Sequence, residues 1–175
     1  MRAVILLGTV LVLCAPYAVA QQTTSVEIGT HLGMNVVVPD DGDPEVFVGV
    51  PGGGSILGLW PVLYVTVLPR TGLMFEPQVF FSWNSISESA IFQPVVQLGY
   101  LLQPQAKASL YLAAHGGGLF TEDDNSGLIG GGVGFRVRAT DGFALRFEGR
   151  YRRWLCENCD WQDISFLVGL GGIAK

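Results

Sequence analysis

Ten titratable side chains stand in segments where every second residue is apolar: Glu27, His31, Glu76, His115, Arg136, Arg138, Arg146, Glu148, Arg150 and Arg152. Carboxylates and guanidinium groups gathered on one face neutralise each other through charge-assisted hydrogen bonds. Once removed from water, each needs such a partner. The chemistry expected of this set is a salt-bridged plug. If water threads between the groups, five arginines against three glutamates make a narrow path that prefers anions. Nucleophilic catalysis would need a Ser, a His and an acid within reach of one another. His115 runs into Gly116-Gly-Gly118 with no adjacent lipid-facing Ser, and His31 has Thr30 and Asn35 nearby without triad spacing. No catalytic residue is expected, and the chain is not expected to be an enzyme.

Two further clusters carry chemistry. Cys156-Glu-Asn-Cys159 has the spacing of a redox or zinc pair in a reducing compartment. Half a zinc site without two more ligands is incomplete. In an exported chain the surroundings oxidise thiols, so the expectation is a structural disulfide between Cys156 and Cys159. The ring it closes is very small, and its loop-entropy gain falls below the ~3 kcal/mol of a 15-residue loop. Asp40-Asp-Gly-Asp-Pro-Glu45 resembles a calcium loop but lacks the twelve-residue spacing and the closing bidentate Glu. A solvated acidic loop is expected there, with loose Ca²⁺ or Mg²⁺ binding near anionic headgroups as the alternative. No cofactor and no resident metal are expected.

The elements that position these residues follow from the rest of the chain. Met1 to Ala20 is expected to be a secretory signal peptide: Arg2, an uncharged apolar stretch from Ala3 to Ala15, and an Ala18-Val-Ala20 cleavage site. Residues 21–175 then form one domain. Removing Arg2 leaves nine basic residues against fifteen acids, a net charge of −6. Nucleic acid is excluded as a partner, because phosphate binding needs a basic face. Only 14% of residues are charged and mean hydropathy is +0.41, which excludes a disordered acidic chain. Val46 to Pro69 is uncharged, but its three prolines and its glycines oppose a membrane helix.

The period in the remainder is two. In 143–154, Phe143, Leu145, Phe147, Gly149 and Tyr151 alternate with Ala144, Arg146, Glu148, Arg150 and Arg152. Alternate side chains of a strand point to opposite faces, so one face is apolar and aromatic and the other is a ladder of charges. The same pattern marks 25–38, 73–83, 91–102, 108–120, 128–139 and 163–174. Segment 56–68 is apolar on both faces and its register stays open. These eight strands of 11–14 residues each exceed the ~9–11 needed to cross a membrane at a tilt. The connections 39–55, 84–90, 121–127 and 155–162 are longer than 69–72, 103–107 and 140–142. The longer set carries Asp40, Asp41, Asp43, Glu45, Glu88, Glu122, Asp123, Asp124, Glu157 and Asp160, ten of the fifteen acids.

Two architectures share this pattern. A soluble lipocalin-like ligand carrier would turn the apolar face inward, and Gly58-Leu-Trp60 mimics a short lipocalin signature. A membrane barrel would turn it outward. Eleven large aromatics lie on the apolar face, among them Phe75, Phe81, Trp83, Phe135 and Phe166. An eight-stranded interior is just wide enough for its side chains or one small ligand, so these rings would overfill it. Facing lipid, they have room and form interfacial girdles.

The signal segment, the eight amphipathic strands, the Pro69–Gly72 turn followed by Leu73-Met-Phe-Glu-Pro-Gln78, and the Gly-rich closing strand together resemble the small eight-stranded outer-membrane proteins of the OmpA/OmpX type. That porin-like family commonly ends in an aromatic residue, whereas this chain ends Gly171-Gly-Ile-Ala-Lys175. The resemblance implies an all-β, eight-stranded antiparallel up-and-down transmembrane barrel with short periplasmic turns and longer extracellular loops. It implies export through the Sec pathway, residence in the outer membrane and lipid as the main partner. A monomer is expected, with a structural or surface-interaction role through the loops.

Overall fold

The computed structural model describes residues 24–38, 43–49, 62–69, 71–84, 89–121, 125–155 and 161–174. They form nine strand segments: β1 (Ser25–Val38), β2 (Glu45–Gly49), β3 (Val62–Leu68), β4 (Leu73–Asn84), β5 (Ser89–Leu101), β6 (Ala108–Phe120), β7 (Asn125–Thr140), β8 (Phe143–Leu155) and β9 (Gln162–Ala174). Every pairing is antiparallel, β1 is flanked by both β2 and β3, from β3 onward each strand lies beside the next, and β9 returns to pair with β1 from Val26↔Ala174 to Val38↔Gln162. That last ladder closes the sheet into a barrel; β2 has a ladder only to β1. Among the described residues there is no helix.

The barrel has eight staves because β2 and β3 share one. β2 pairs with the upper half of β1, Gly33↔Gly49 to Val37↔Glu45, and β3 with the lower half, Ser25↔Leu68 to His31↔Val62. Gly49 and Val62 therefore face positions only two apart on β1. This corrects the sequence expectation of one strand over 56–68 after a loop over 39–55. Glu45 to Gly49, expected in that loop, is wall. The β-branched residues of Glu45-Val-Phe-Val-Gly49 suit a strand, but five residues are too few to stand out as a periodic run. The register left open in the sequence is settled for β3. Val62, Tyr64, Thr66 and Leu68 are buried, while Leu63 points outward.

The two faces divide as the alternation requires. Outward stand large apolar side chains that stay exposed, including Phe81, Leu98, Leu112, Val133, Phe147 and Phe166. Inward lies a polar core capped by apolar clusters. Leu68, Met74, Leu101 and Tyr111 meet near the turn end of the lumen. Val62 with Phe80, and Val95 with Leu128 and Trp154, fill the loop end. β4, β7, β8 and β9 run further than the pattern drew them and β5 starts earlier, which leaves 39–44, 85–88, 121–124 and 156–161 between strands on one rim and 69–72, 102–107 and 141–142 on the other; the expected contrast in length is corrected at 102–107, which is longer than 85–88 or 121–124. The signal segment, Gly58-Leu-Trp60, the Cys156/Cys159 pair and most of the loop acids lie outside the described residues.

The first turn fixes where β4 begins. Gly72 has φ of 89°, its N–H donates to Pro69 O at 3.2 Å, and its carbonyl accepts from Leu101 N–H at 2.8 Å. A side chain there meets a disfavoured backbone conformation, and its Cβ would lie 2.7 Å from Leu101 O. Gly72→Ala is expected to lower unfolding stability in detergent by about 1–2 kcal/mol. Gly142→Ala, whose Cβ meets nothing within 4 Å, is expected to change it by less than about 0.5 kcal/mol. Urea melts of both variants check the pair.

Candidate functional site

Nine of the ten side chains singled out in the sequence point into the lumen and are buried: Glu27, His31, Glu76, His115, Arg136, Arg146, Glu148, Arg150 and Arg152. They come from β1, β4, β6, β7 and β8, and the two-residue period is what aims all of them inward. Arg146 is the hub and is fully buried. Its Nε pairs with Glu27 Oε1 at 2.7 Å, its Nη1 with Glu76 Oε2, and its Nη2 donates to Thr66 Oγ1 at 2.8 Å. The guanidinium carbon stands 4.8 Å from the centre of the Tyr64 ring. One side chain thus joins β8 to β1, β3 and β4 across the barrel.

Each carboxylate beside the hub is saturated. Besides its ion pair with Arg146, Glu27 accepts hydrogen bonds from Tyr64 Oη at 2.8 Å and Arg136 Nε at 2.9 Å. Glu76 also accepts from Thr66 Oγ1 and from Gln78 Nε2 at 2.7 Å. A second cluster centres on Glu148, which accepts from Arg150 Nε at 2.6 Å and Tyr111 Oη at 2.5 Å. Arg150 donates onward to Gln78 Oε1 at 2.9 Å and Gln97 Oε1 at 3.0 Å. Gln78 Nε2 donates to both Glu76 and Gln97, so it links the two clusters. A third lies toward the loops. There Asp163 accepts from Arg152 Nε at 2.9 Å, Trp154 Nε1 at 2.8 Å and Ser165 Oγ at 3.1 Å.

The tenth residue is placed elsewhere. Arg138 is only half-buried, and its Nη2 donates to the backbone carbonyls of Gln105 and Ala106 at 3.1 and 3.3 Å. It sits where the β7–β8 register slips, between Arg138 and Thr140, past the end of the charge belt. Asp163, which the sequence placed on a polar face but outside the charge set, takes part instead. The buried charges among the described residues are therefore Glu27, Glu76, Glu148 and Asp163 against Arg136, Arg146, Arg150 and Arg152, four of each sign. The expected excess of arginine over acid in the lumen is corrected to a balance.

The histidines stand apart from this bonding. His31 stacks on Tyr64, ring centres 4.4 Å apart, and neither of its nitrogens has a hydrogen-bond partner among the described residues. His115 Nε2 lies 3.6 Å from Glu148 Oε1, beyond hydrogen-bond range. Neither ring has a hydroxyl bonded to it. Tyrosines missed by sequence reasoning do more: Tyr64 and Tyr111 each donate to a buried carboxylate. Both lie flat against wall glycines. A Cβ at Gly171 would come within 2.5 Å of Tyr64 Oη, and one at Gly134 within 2.1 Å of the Tyr111 ring.

With that geometry in hand, comparison with known proteins places the fold. No family model and no curated protein sequence matches the chain. Among solved structures it is similar to Neisserial surface protein A, at 12% identity and a TM-score of 0.58, over 85% of this chain and 96% of that one. It is similar to Ail, the attachment invasion locus protein of Yersinia pestis, at 12% identity and a TM-score of 0.54, over 86% and 97%. A third likeness is to the N-terminal β-barrel domain of Pseudomonas aeruginosa OprF, at 10% identity and a TM-score of 0.54, over 86% and 97%. The chain has the fold of the small eight-stranded outer-membrane β-barrels.

The hub generates a prediction. Arg146→Met leaves Glu76 buried without a cation and Glu27 with one where it had two. Removing one partner of a buried ion pair costs about 3–5 kcal/mol, and that is the loss expected in a detergent urea melt. Adding Glu76→Gln to Arg146→Met removes the stranded charge and is expected to recover more than about 1 kcal/mol. A strictly additive double variant would show that the two groups do not share one interaction.

Proposed function

We propose that the protein is a monomeric barrel of the outer membrane whose wall is a closed scaffold and whose role is structural or one of surface interaction through its acidic loop rim. The observation that carries this reading is the pairing of a neutral, ion-paired lumen with an apolar outer wall. A soluble carrier would need the opposite arrangement, an apolar interior open to a ligand. Here the interior is filled by charge pairs, and large apolar residues such as Leu112 and Phe166 are more than half exposed. Lipid is the medium that suits that surface.

A pore is the reading that the lumen opposes. Conduction needs a wetted path with charges free to attract the permeating ion. Four arginines here spend their charge on four carboxylates, and apolar clusters cap both ends. Eight strands ordinarily leave no open channel. The protein is expected to fractionate with the outer membrane, to migrate differently on a detergent gel before and after heating, and to show no discrete conductance in planar bilayers. Recovery as a soluble periplasmic monomer would overturn the membrane reading. Discrete anion-selective openings would overturn the closed scaffold.

Two finer parts of the reading follow from export. Cleavage after Ala20 removes Cys14 and leaves Cys156 and Cys159 as the only thiols. They are proposed to form a disulfide that stiffens the loop, with Trp161 at the interface level that indoles favour; Trp154, expected beside it there, instead turns into the lumen onto Asp163. The acid-rich rim around Asp40 to Glu45 is proposed to hold divalent cations loosely beside anionic headgroups. Thiol titration of the mature, unfolded, unreduced protein is expected to find no free thiol, and two free thiols would refute the bond. Replacing both cysteines with Ser is expected to shift barrel unfolding by less than about 3 kcal/mol, the scale set by a much larger loop.

A further inference from the structure

The turn end of the barrel holds a cavity of about 320 Å³ beside the Arg136–Glu27 ion pair. Its lining includes Ser25, Leu68, Leu101, Arg136, Arg138 and Ile173. The volume is at the small end of the ~300–1,000 Å³ typical of ligand sites. Arg136 and Arg138 stand two residues apart on β7, and both line the cavity. Arg136 is more than nine-tenths buried, and its one side-chain hydrogen bond among the described residues runs from Nε to Glu27. Its two terminal nitrogens remain for the cavity. Arg138 uses Nη2 on two backbone carbonyls and keeps Nε and Nη1.

The nearby acids leave a surplus of positive charge. Glu27 is already bonded by Tyr64, Arg136 and Arg146, and Glu76 by Thr66, Gln78 and Arg146. Those two carboxylates balance Arg136 and Arg146, so the charge of Arg138 is uncompensated within this group. Two planar guanidinium forks side by side match the oxygens of a phosphate or carboxylate. Leu68 and Leu101 supply an apolar floor next to them.

We propose that this cavity binds a small organic anion from the aqueous phase at the turn rim. Its phosphate or carboxylate group lies on Arg136 and Arg138, and its short apolar body lies over Leu68 and Leu101. The lining residues Leu68, Leu101 and Arg136 all face the lumen. The site therefore opens along the barrel axis to water and not sideways to lipid.

The test is calorimetric titration of the folded protein in a phosphate-free maltoside detergent with phenyl phosphate, inorganic phosphate and benzyl alcohol. Phenyl phosphate is expected to bind most tightly, inorganic phosphate more weakly, and benzyl alcohol not at all. Arg138→Gln is expected to weaken phenyl phosphate roughly tenfold or more, the worth of a charged hydrogen bond. Arg138→Lys should recover part of that loss, and Arg153→Gln, on the outer wall, should leave affinity unchanged. Heat-modified migration of each variant confirms that it is folded. No binding of phenyl phosphate at tens of millimolar, or equal affinity in Arg138→Gln, overturns the site. A short-chain phosphatidylglycerol added to the micelles should leave phenyl phosphate bound. If it displaces the probe, the occupant is a lipid headgroup and the aqueous assignment fails.

Discussion

Arg146 lies between Glu27 and Glu76, fully out of water, and the rest of the interior is arranged around that contact. Burying a guanidinium without matched acceptors costs several kcal/mol, and the attraction to two carboxylates offsets this only if their remaining lone pairs are also used. Tyr64, Thr66, Gln78 and Arg136 use them. Those side chains come from β3, β4 and β7, so satisfying one buried charge draws in most of the barrel's circumference. The network specifies the closed state in a way an apolar filling would not, because any slip of one strand by one residue would carry its polar groups to the lipid face.

The wall has to make room for that network. Eight staves enclose little volume, and the charge network brings with it two tyrosine rings, Tyr64 at the hub and Tyr111 at Glu148. The rings fit because they lie against glycines: Tyr64 against Gly171, and Tyr111 against Gly134. Abundant glycine and scarce charge in the composition are therefore two sides of one constraint. Where the two tyrosines serve a carboxylate, a wall glycine makes room for the ring. The large aromatics without such a role, Phe81, Phe135, Phe147 and Phe166, are on the outer wall.

Most of this was legible because a two-residue period carries both secondary structure and facing. The alternation in 143–154 already separates Arg146, Glu148, Arg150 and Arg152 from Phe143, Phe147 and Tyr151, and the structure places them on opposite faces. Legibility failed where the period fails. Val62 to Leu68 is apolar on both faces, so Tyr64 and Thr66 gave no sign that they face the hub. Glu45 to Gly49 is too short for a pattern, and its role as half of a stave depends on pairing with β1, which is not local information. Arg138 obeys the parity of the lumen residues, yet it lies at a register slip beside the turn, where parity no longer fixes direction. Asp163 was visible on a polar face, but its partner Arg152 is on another strand, and only register brings them together.

The position of Arg138 also explains why the two ends of the lumen differ. Toward the loops, Asp163 ties Arg152 and Trp154 together, and Trp154 packs with Val95 and Leu128 over the charge belt. Polar and apolar demands are met there by the same residues, and the end is filled. Toward the turns the ion pairs stop at Arg136, one inward position before the slip. The next inward residue on β7 is another arginine with no carboxylate within ion-pairing distance among the described residues. Because the belt is balanced without it, this charge cannot be drawn inward at no cost and is held at the rim by backbone carbonyls. Closing the belt on four ion pairs therefore balances the buried charge and leaves one further cation at the turn end.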